Sequence, residues 1–431
     1  MEKTYIAVGS PETDFTDQEM QGLFLDAVSQ ALADTNNSGQ VIILPPDITR
    51  IHSRAGFFTE IAANYLGGKL GAVLPALGTH MAMNNAELAR MFGSVPKDKF
   101  IVHNWRDDIA ELGRLESSFV EKASEGAVNY DWPVQVNKIL SKDNPAFGNF
   151  SIAFSIGQVV PHEVAGMANH AKNIFVGTGG KEAIDKSHFA GAAYGMEKIM
   201  GKADTPVRAL FDEGLNRYEN KMPPILWILT VVGARADGTL AVRGLYIGFG
   251  RECFQKAVDL AQKVNVNHLK KQVNKAVVYL DPEEYRTTWL GNKAVYRTRM
   301  AIADGGELII LAPAMEKFGE DPGIDTLIRK YGYRPRSEII LKTQTDSELA
   351  GNLSAAAHLI HGCSEGRFTV RYCPGEGISK EEIESVGFQW GSLKEARARY
   401  DINKLNMGWN TVEDEEIFYV PNPGLGLWAC Q

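Results

Sequence analysis

The stretch PHEVAGMANHAKNIFVGTGGKEAIDKSH, positions 161 to 188, holds His162, His170, Lys172 and His188. Around them stand the small residues Ala165, Gly166, Ala168 and Ala171. Imidazoles titrate near neutrality, so they can take or give a proton or bind a metal. A packed core would carry larger apolar side chains here, and a solvated loop would not need ordered apolar spacing. The segment is therefore a candidate site. Its Gly-Thr-Gly-Gly turn leads into a helical pattern, as Gly-rich turns that offer N–H groups to a phosphate do. Thr178, Gly179 and Gly180 are the residues that would do so.

The elements that must position these groups read as alternating strands and helices. QVIILPPD (40–47) is a short apolar run closed by prolines, GAVLPALGTH (71–80) a second strand, and FSIAFSIGQVV (150–160) a third. TEIAANYLGG and NNAELARMFG between them have helical spacing and end in glycine. Such alternation predicts an α/β domain with a largely parallel sheet, whose ligands sit beyond the carboxyl ends of the strands. Asp47 and Arg50 follow the first strand, His80 the second and His162 the third, so all of them can face one crevice.

LWILTVVGARADGTLAVRGLYIGFG reads as a hairpin with Ala-Asp-Gly-Thr at its turn, closing a first domain over 1–249. A second α/β domain is expected over 250–431, its C-terminal tail free to pack back on the first. It opens with the amphipathic ECFQKAVDLAQKV, apolar at 254, 257, 258, 261 and 264. KAVVYLDP follows as a strand, NKAVYRTRMAIAD as a helix, GGELIILAPA as a strand, and EEIFYVPNPGLG as a strand and turn. CSEGRFTVRYC reads as a solvated edge strand. The expected fold class is two α/β domains with largely parallel sheets and the active site in the cleft between them.

A net charge of −8 over 431 residues leaves no basic stripe to neutralise a nucleic acid. The four cysteines are scattered without a C-x-x-C pair, which fits reduced thiols in the cytoplasm. The N-terminus lacks the pattern of a signal peptide, and no apolar run is long enough for a membrane span. The expected protein is soluble and cytoplasmic, binds neither nucleic acid nor membrane, and is open to homo-oligomer formation.

The pattern Pro-His-x-x-Ala-Gly, a lysine ten residues after that histidine and a histidine sixteen beyond the lysine resembles the lactate racemase family, and His162, Lys172 and His188 fit it. PPDITR (45–50) resembles the family's Asp-His-Thr-Arg-Pro loop, GTHMAMNNAEL its Gly-x-His loop, and ADGGELIILAP a strand of its second domain. The resemblance implies a racemase or epimerase that inverts C2 of a 2-hydroxyacid. Proton-coupled hydride transfer to a nickel-pincer nucleotide would do this, the cofactor being a nickel pyridinium-3,5-bisthiocarboxylic acid mononucleotide. It implies Lys172 as the covalent attachment point, His188 as nickel ligand, His80 and His162 as the acid–base pair, and Arg50 on the substrate carboxylate. Asp47 would touch the nucleotide ribose, and cofactor-maturation enzymes would be partners.

The chain departs from the pattern. Ile48 and Ile51 replace a histidine and a proline, ANHAK replaces Ser-Gly-Gly-x-Lys, and the second-domain Gln-x-x-Lys pair has no clear counterpart. Lys293 and Trp289 are the substrate contacts offered in its stead. His170, Asn84–Asn85 and the polar 283–293 loop point to a larger, more polar substrate than lactate, such as an aldonate sugar acid. Each residue alone has a plainer reading: a structural histidine, a turn-forming aspartate, a surface lysine. His103, His268, His358 and His361 are read as structural. Two alternatives stay open: a nucleotide-binding or regulatory homologue without turnover, and a nickel-free isomerase or hydro-lyase using histidines as ordinary acid and base.

Overall fold

The apolar run QVIIL forms strand Gln40–Leu44, buried along four of its five residues, next to the edge strand of a six-stranded sheet in the computed structural model. The structure describes residues 2–35, 39–144, 150–235 and 238–430. The sheet runs in the order Lys3–Gly9, Leu240–Phe249, Ile225–Ala234, Phe150–Gln158, Gln40–Leu44, Leu70–Val73. The last four strands are parallel, and Leu240–Phe249 pairs antiparallel on both sides. Parallel strands need long crossovers, and helices supply them on both faces. Asp17–Asp34 is fixed by a Thr16–Glu19 capping box, and Ala55–Leu66 stops at Gly67, whose φ is 52°. Phe24, Phe58, Phe154 and Ile228 join in one core.

The chain divides into two compact units, Met1–Ala190 with Ile199–Asn265, and Gly191–Lys198 with Val266–Gln431. Helix Arg251–Asn265 lies in the first, packed on strands Ile225–Ala234 and Leu240–Phe249, so a boundary at 249/250 falls one helix early. Phe254, Ala257, Val258 and Ala261 on its apolar face are buried as the spacing predicts. The hairpin forms, while Ala236 and Asp237 of its turn lie outside the described residues.

The second unit is built on a sheet ordered Gln389–Trp390, Thr369–Pro374, Ile302–Ala312, Val273–Tyr279, Glu415–Val420, Gly408–Val412, parallel except for the last pair. Two expectations change here. Thr369–Pro374 is flanked by strands on both sides and buries Tyr372 and Cys373, so it is not a solvated edge. The expected helix NKAVYRTRMAIAD stops at Thr298, and Ile302 opens a strand that pairs with Val273. Pairing in the sheet overrides the local helical spacing there. Cys253, Cys363 and Cys373 are buried thiols. Among the described residues no helix is long and apolar enough to cross a membrane.

Candidate functional site

Three loops leave the carboxyl ends of neighbouring parallel strands. After Pro45–Pro46, Asp47 caps the 3-10 turn Ile48–Ser53, its Oδ1 accepting the Thr49 N–H at 3.1 Å and the Thr49 hydroxyl at 2.5 Å. Its Oδ2 meets His80 Nδ1 at 2.5 Å. A carboxylate only accepts, so Nδ1 carries the hydrogen and the lone pair of neutral His80 stands on Nε2. The side chain of His80 is 32% exposed and that of Asp47 5%, which leaves the ring open on the side away from the pair. Burial pushes the Asp47 carboxyl up, but the charge and hydrogen bond of His80, the Thr49 bond and Arg50 outweigh it and hold the group at about 2.

His162 follows strand Phe150–Gln158 and is set the opposite way. Its Nδ1 accepts the Val164 N–H at 3.1 Å, so the neutral ring carries its hydrogen on Nε2, 3.9 Å from Glu163 Oε1. Gly166, at φ 79°, closes this tight turn where a Cβ would lie 2.2 Å from the Lys202 carbonyl oxygen.

Lys172 stands immediately before a π-helical turn, Asn173–Gly177, a geometry frequent at functional sites. Asn173 anchors it to two strands, donating to the Leu44 carbonyl at 3.1 Å and the Ser155 hydroxyl at 2.9 Å. The buried Arg208 guanidinium donates to the carbonyls of Met167 and Asn169 at 2.6 and 3.2 Å, pinning the approach. Lys172 keeps part of its surface open yet is ringed by protein. That burial, then the charge of Arg50, lowers its amine to about 8 against the pull of Glu163 and Asp47. His188, partly open on helix Lys181–Tyr194, lies within electrostatic reach of Lys172 and Glu163. Burial first and the Lys172 charge second bring it down to about 4. Its Nδ1 donates to the Ile184 carbonyl at 2.7 Å, so the Nε2 lone pair stays available. Asp47, Arg50, Lys172 and His188 thus share one neighbourhood, with His80 bonded to Asp47 and His162 3.9 Å from Glu163.

Other expected residues are engaged differently. The N–H groups of Thr178 and Gly179 are spent on the carbonyls of Ile174 and Val176, and the Lys181 N–H on Trp105, so this turn is no phosphate cradle through them. Its glycines serve close packing. Gly177 accepts from the Gly78 N–H at 2.9 Å, joining this turn to the His80 loop, and a Cβ on Gly179 would sit 1.9 Å from the Phe175 carbonyl oxygen. At Gly180 an added Cβ would meet the Gln135 side chain at 2.5 Å. His103, read as structural, holds the Gly179 carbonyl at 3.0 Å and accepts from Asn137.

His170 is stacked between Trp227 and Phe254 and does not join the Lys172 group. The Asn84 side chain caps helix Asn85–Phe92. In the second unit, the Trp289 indole packs on His358 at 4.6 Å and the Lys293 ammonium lies over the Tyr285 ring at 5.6 Å. Glu163 is the residue that sequence reasoning missed. It adjoins His162 in the motif, and its charge reaches both Lys172 and His188.

Residues 25–199 match the lactate racemase N-terminal domain. No curated protein matches the chain. Among solved structures, a protein from Thermotoga maritima aligns with a TM-score of 0.81 at 22% identity, over 98% of this chain and 100% of that one. The lactate racemase apoprotein from Thermoanaerobacterium thermosaccharolyticum aligns with a TM-score of 0.67 at 15% identity, over 99% and 100%. Residues 25–199 thus carry a lactate racemase N-terminal domain, in a chain whose fold follows that of the lactate racemase apoprotein along its length.

Proposed function

We propose that this chain is a racemase or epimerase that inverts C2 of a 2-hydroxyacid with a nickel-pincer nucleotide held by Lys172 and His188. The observation that carries the reading is the state of those two side chains. Lys172 sits where its amine is brought to about 8, so a useful fraction is uncharged and able to form an acyl link near neutral pH. His188 is neutral at that pH and has its Nε2 lone pair fixed by the Ile184 carbonyl, as a metal-ligating imidazole requires. Among the described residues no group of three or more His, Cys, Asp or Glu is gathered for a metal. One imidazole supports a cofactor that brings its own soft donors, a set that suits nickel. When bound, that cofactor supplies the acceptor for the C2 hydrogen, removed as hydride so that no second negative charge builds beside the carboxylate.

The chain's own residues bind the acid and move the hydroxyl proton. Arg50 pairs with the substrate carboxylate in bidentate fashion. His80 takes the hydroxyl proton at Nε2, and Asp47, both of whose oxygens are engaged within the protein, stabilises the imidazolium through Nδ1. Asp47 therefore acts through His80. His162 offers Nε2–H to the oxygen from the other face, and it can receive a proton at Nδ1 only by releasing the Val164 N–H. The two directions of inversion are then served by unlike histidines. Of the features that pointed to an aldonate, His170 and Asn84 are occupied elsewhere, so the substrate class stands at a 2-hydroxyacid.

The test is a C2-deuterium exchange screen of 2-hydroxyacids, read by stereoisomer, on protein matured with cofactor-making enzymes. Conversion that needs maturation and vanishes in Lys172→Ala supports the reading; conversion retained in Lys172→Ala refutes it. The Asp47–His80 pair favours one second reading, a cofactor-free isomerase or hydro-lyase, because it is a complete base on its own. Activity in protein made without any maturation enzyme would support that alternative.

A further inference from the structure

The first unit contains a second cavity, of about 510 Å³, with His170, Asp212, Trp227 and Arg251 in its wall. Ile225, which opens one parallel strand, and Phe249, which closes its antiparallel neighbour, also line it. The cavity therefore lies where the parallel strands begin. Asp47, His80 and His162 follow the opposite, carboxyl ends of the same sheet.

His170 is 2% exposed, its ring 4.2 Å from that of Trp227 and 4.9 Å from that of Phe254. Both it and Asn169 adopt positive φ, 54° and 68°, a strained backbone for non-glycine residues that persists where the surroundings demand it. One ring nitrogen of His170 is within reach of the Gly250 carbonyl, while the other, and the buried Oδ1 of Asp212 3.8 Å from His170 Nδ1, find no hydrogen-bond partner within the protein. The other Asp212 oxygen is occupied by Arg251 Nε at 2.9 Å. Buried polar atoms in native proteins are almost always paired, so two unmet atoms of neighbouring side chains beside one cavity mark the seat of a ligand.

The chemistry of that ligand follows from the unmet atoms. Asp212 Oδ1 can only accept, so the ligand must present an N–H or O–H to it, and the imidazole can meet either a donor or an acceptor. Met222, Pro224 and Ile225 give the otherwise mixed wall an apolar stretch beside Trp227 and Phe249, which suits a flat apolar body. Charge does not favour an ion. Lys142 and Arg251 stand against Glu2, Glu219 and Asp212, with the further cation Arg208 behind His170. Glu2 is itself committed to the N–H groups of Arg251 and Glu252.

We propose that this cavity binds an uncharged phenolic or heteroaromatic molecule, its ring among Met222, Pro224 and Ile225 and its donor at Asp212 and His170. The test titrates the full chain with phenol and with indole by saturation-transfer NMR, with benzoate as the anionic control. One of the two uncharged probes is expected to saturate, and benzoate to bind at least tenfold more weakly. Ile225→Trp, which fills the space, and His170→Phe, which keeps the stack but removes both nitrogens, should each weaken the probe at least tenfold. No saturation by either probe at millimolar concentration overturns the proposal, as does unchanged binding to Ile225→Trp. If that variant does not fold, a crystal soaked with phenol decides: phenol bonded to Asp212 supports the site, and water alone at Asp212 and His170 overturns it.

Discussion

Lys172 offers the sharpest quantitative check, because its amine is brought from 10.5 to about 8 chiefly by burial and then by Arg50. At pH 8 about half of such amines are uncharged, against about 0.3% of ordinary lysines, a gain of roughly 150-fold in nucleophile. The same shift costs stability. Below about pH 8 the folded protein holds a poorly solvated ammonium that the unfolded chain solvates fully, at a cost of up to about 3 kcal/mol, somewhat less because part of the side chain stays open. Between 8 and 10.5 the unfolded chain binds the extra proton, so stability climbs with pH and the cost disappears. Lys172→Met should therefore stabilise unmodified protein at pH 7 by about 2 to 3 kcal/mol, with the gain fading by pH 10.5. Urea unfolding across pH 6.5 to 10.5 measures this, and mass-mapped acetylation rates give the amine midpoint directly. A midpoint above 10, or a variant whose stability difference does not change with pH, would refute the reasoning. Arg50→Gln should raise the midpoint, since it removes the cation that lowers the amine most.

His188 is brought to about 4, so in the folded protein it stays neutral while its unfolded counterpart charges. Stability should fall by about 3 kcal/mol as pH drops from 6.5 to 4, and His188→Gln should flatten that limb in acid unfolding curves. Asp47, held at about 2, contributes about 2 kcal/mol above its ordinary 3.8 that is lost as pH falls through 2. In His80→Gln its carboxyl should titrate higher, which carbon-13 NMR detects. Gly179→Ala drives a Cβ to 1.9 Å from the Phe175 carbonyl and should destabilise by about 2 to 4 kcal/mol in thermal melts, whatever its effect on cofactor loading.

Much of the candidate site was legible because chemistry by side chains needs particular atoms, and their spacing survives in the sequence. The offset joining Lys172 and His188, and the loops bearing Asp47 and His80, identify groups that lie within electrostatic or hydrogen-bond reach of one another. The alternation of short apolar strands with capped helices likewise fixes the parallel sheet, since each segment's period dictates which face it must bury.

What a segment touches is a different matter. Whether Asp47 meets a ribose or His80 depends on two loops leaving strands 30 residues apart in the chain, and only their pairing in the sheet brings Oδ2 to Nδ1. His170 lies two residues from Lys172, yet consecutive left-handed residues turn it toward Trp227 and a second cavity. Thr178, Gly179 and Gly180 look like a phosphate turn, but nearby carbonyls claim the amides of Thr178 and Gly179. Local composition specified which chemistry was on hand. The tautomers of His162 and His188 are set by neighbours in the chain, but the partner of Asp47, the side to which His170 turns and the loss of solvent are long-range properties that tertiary packing decided.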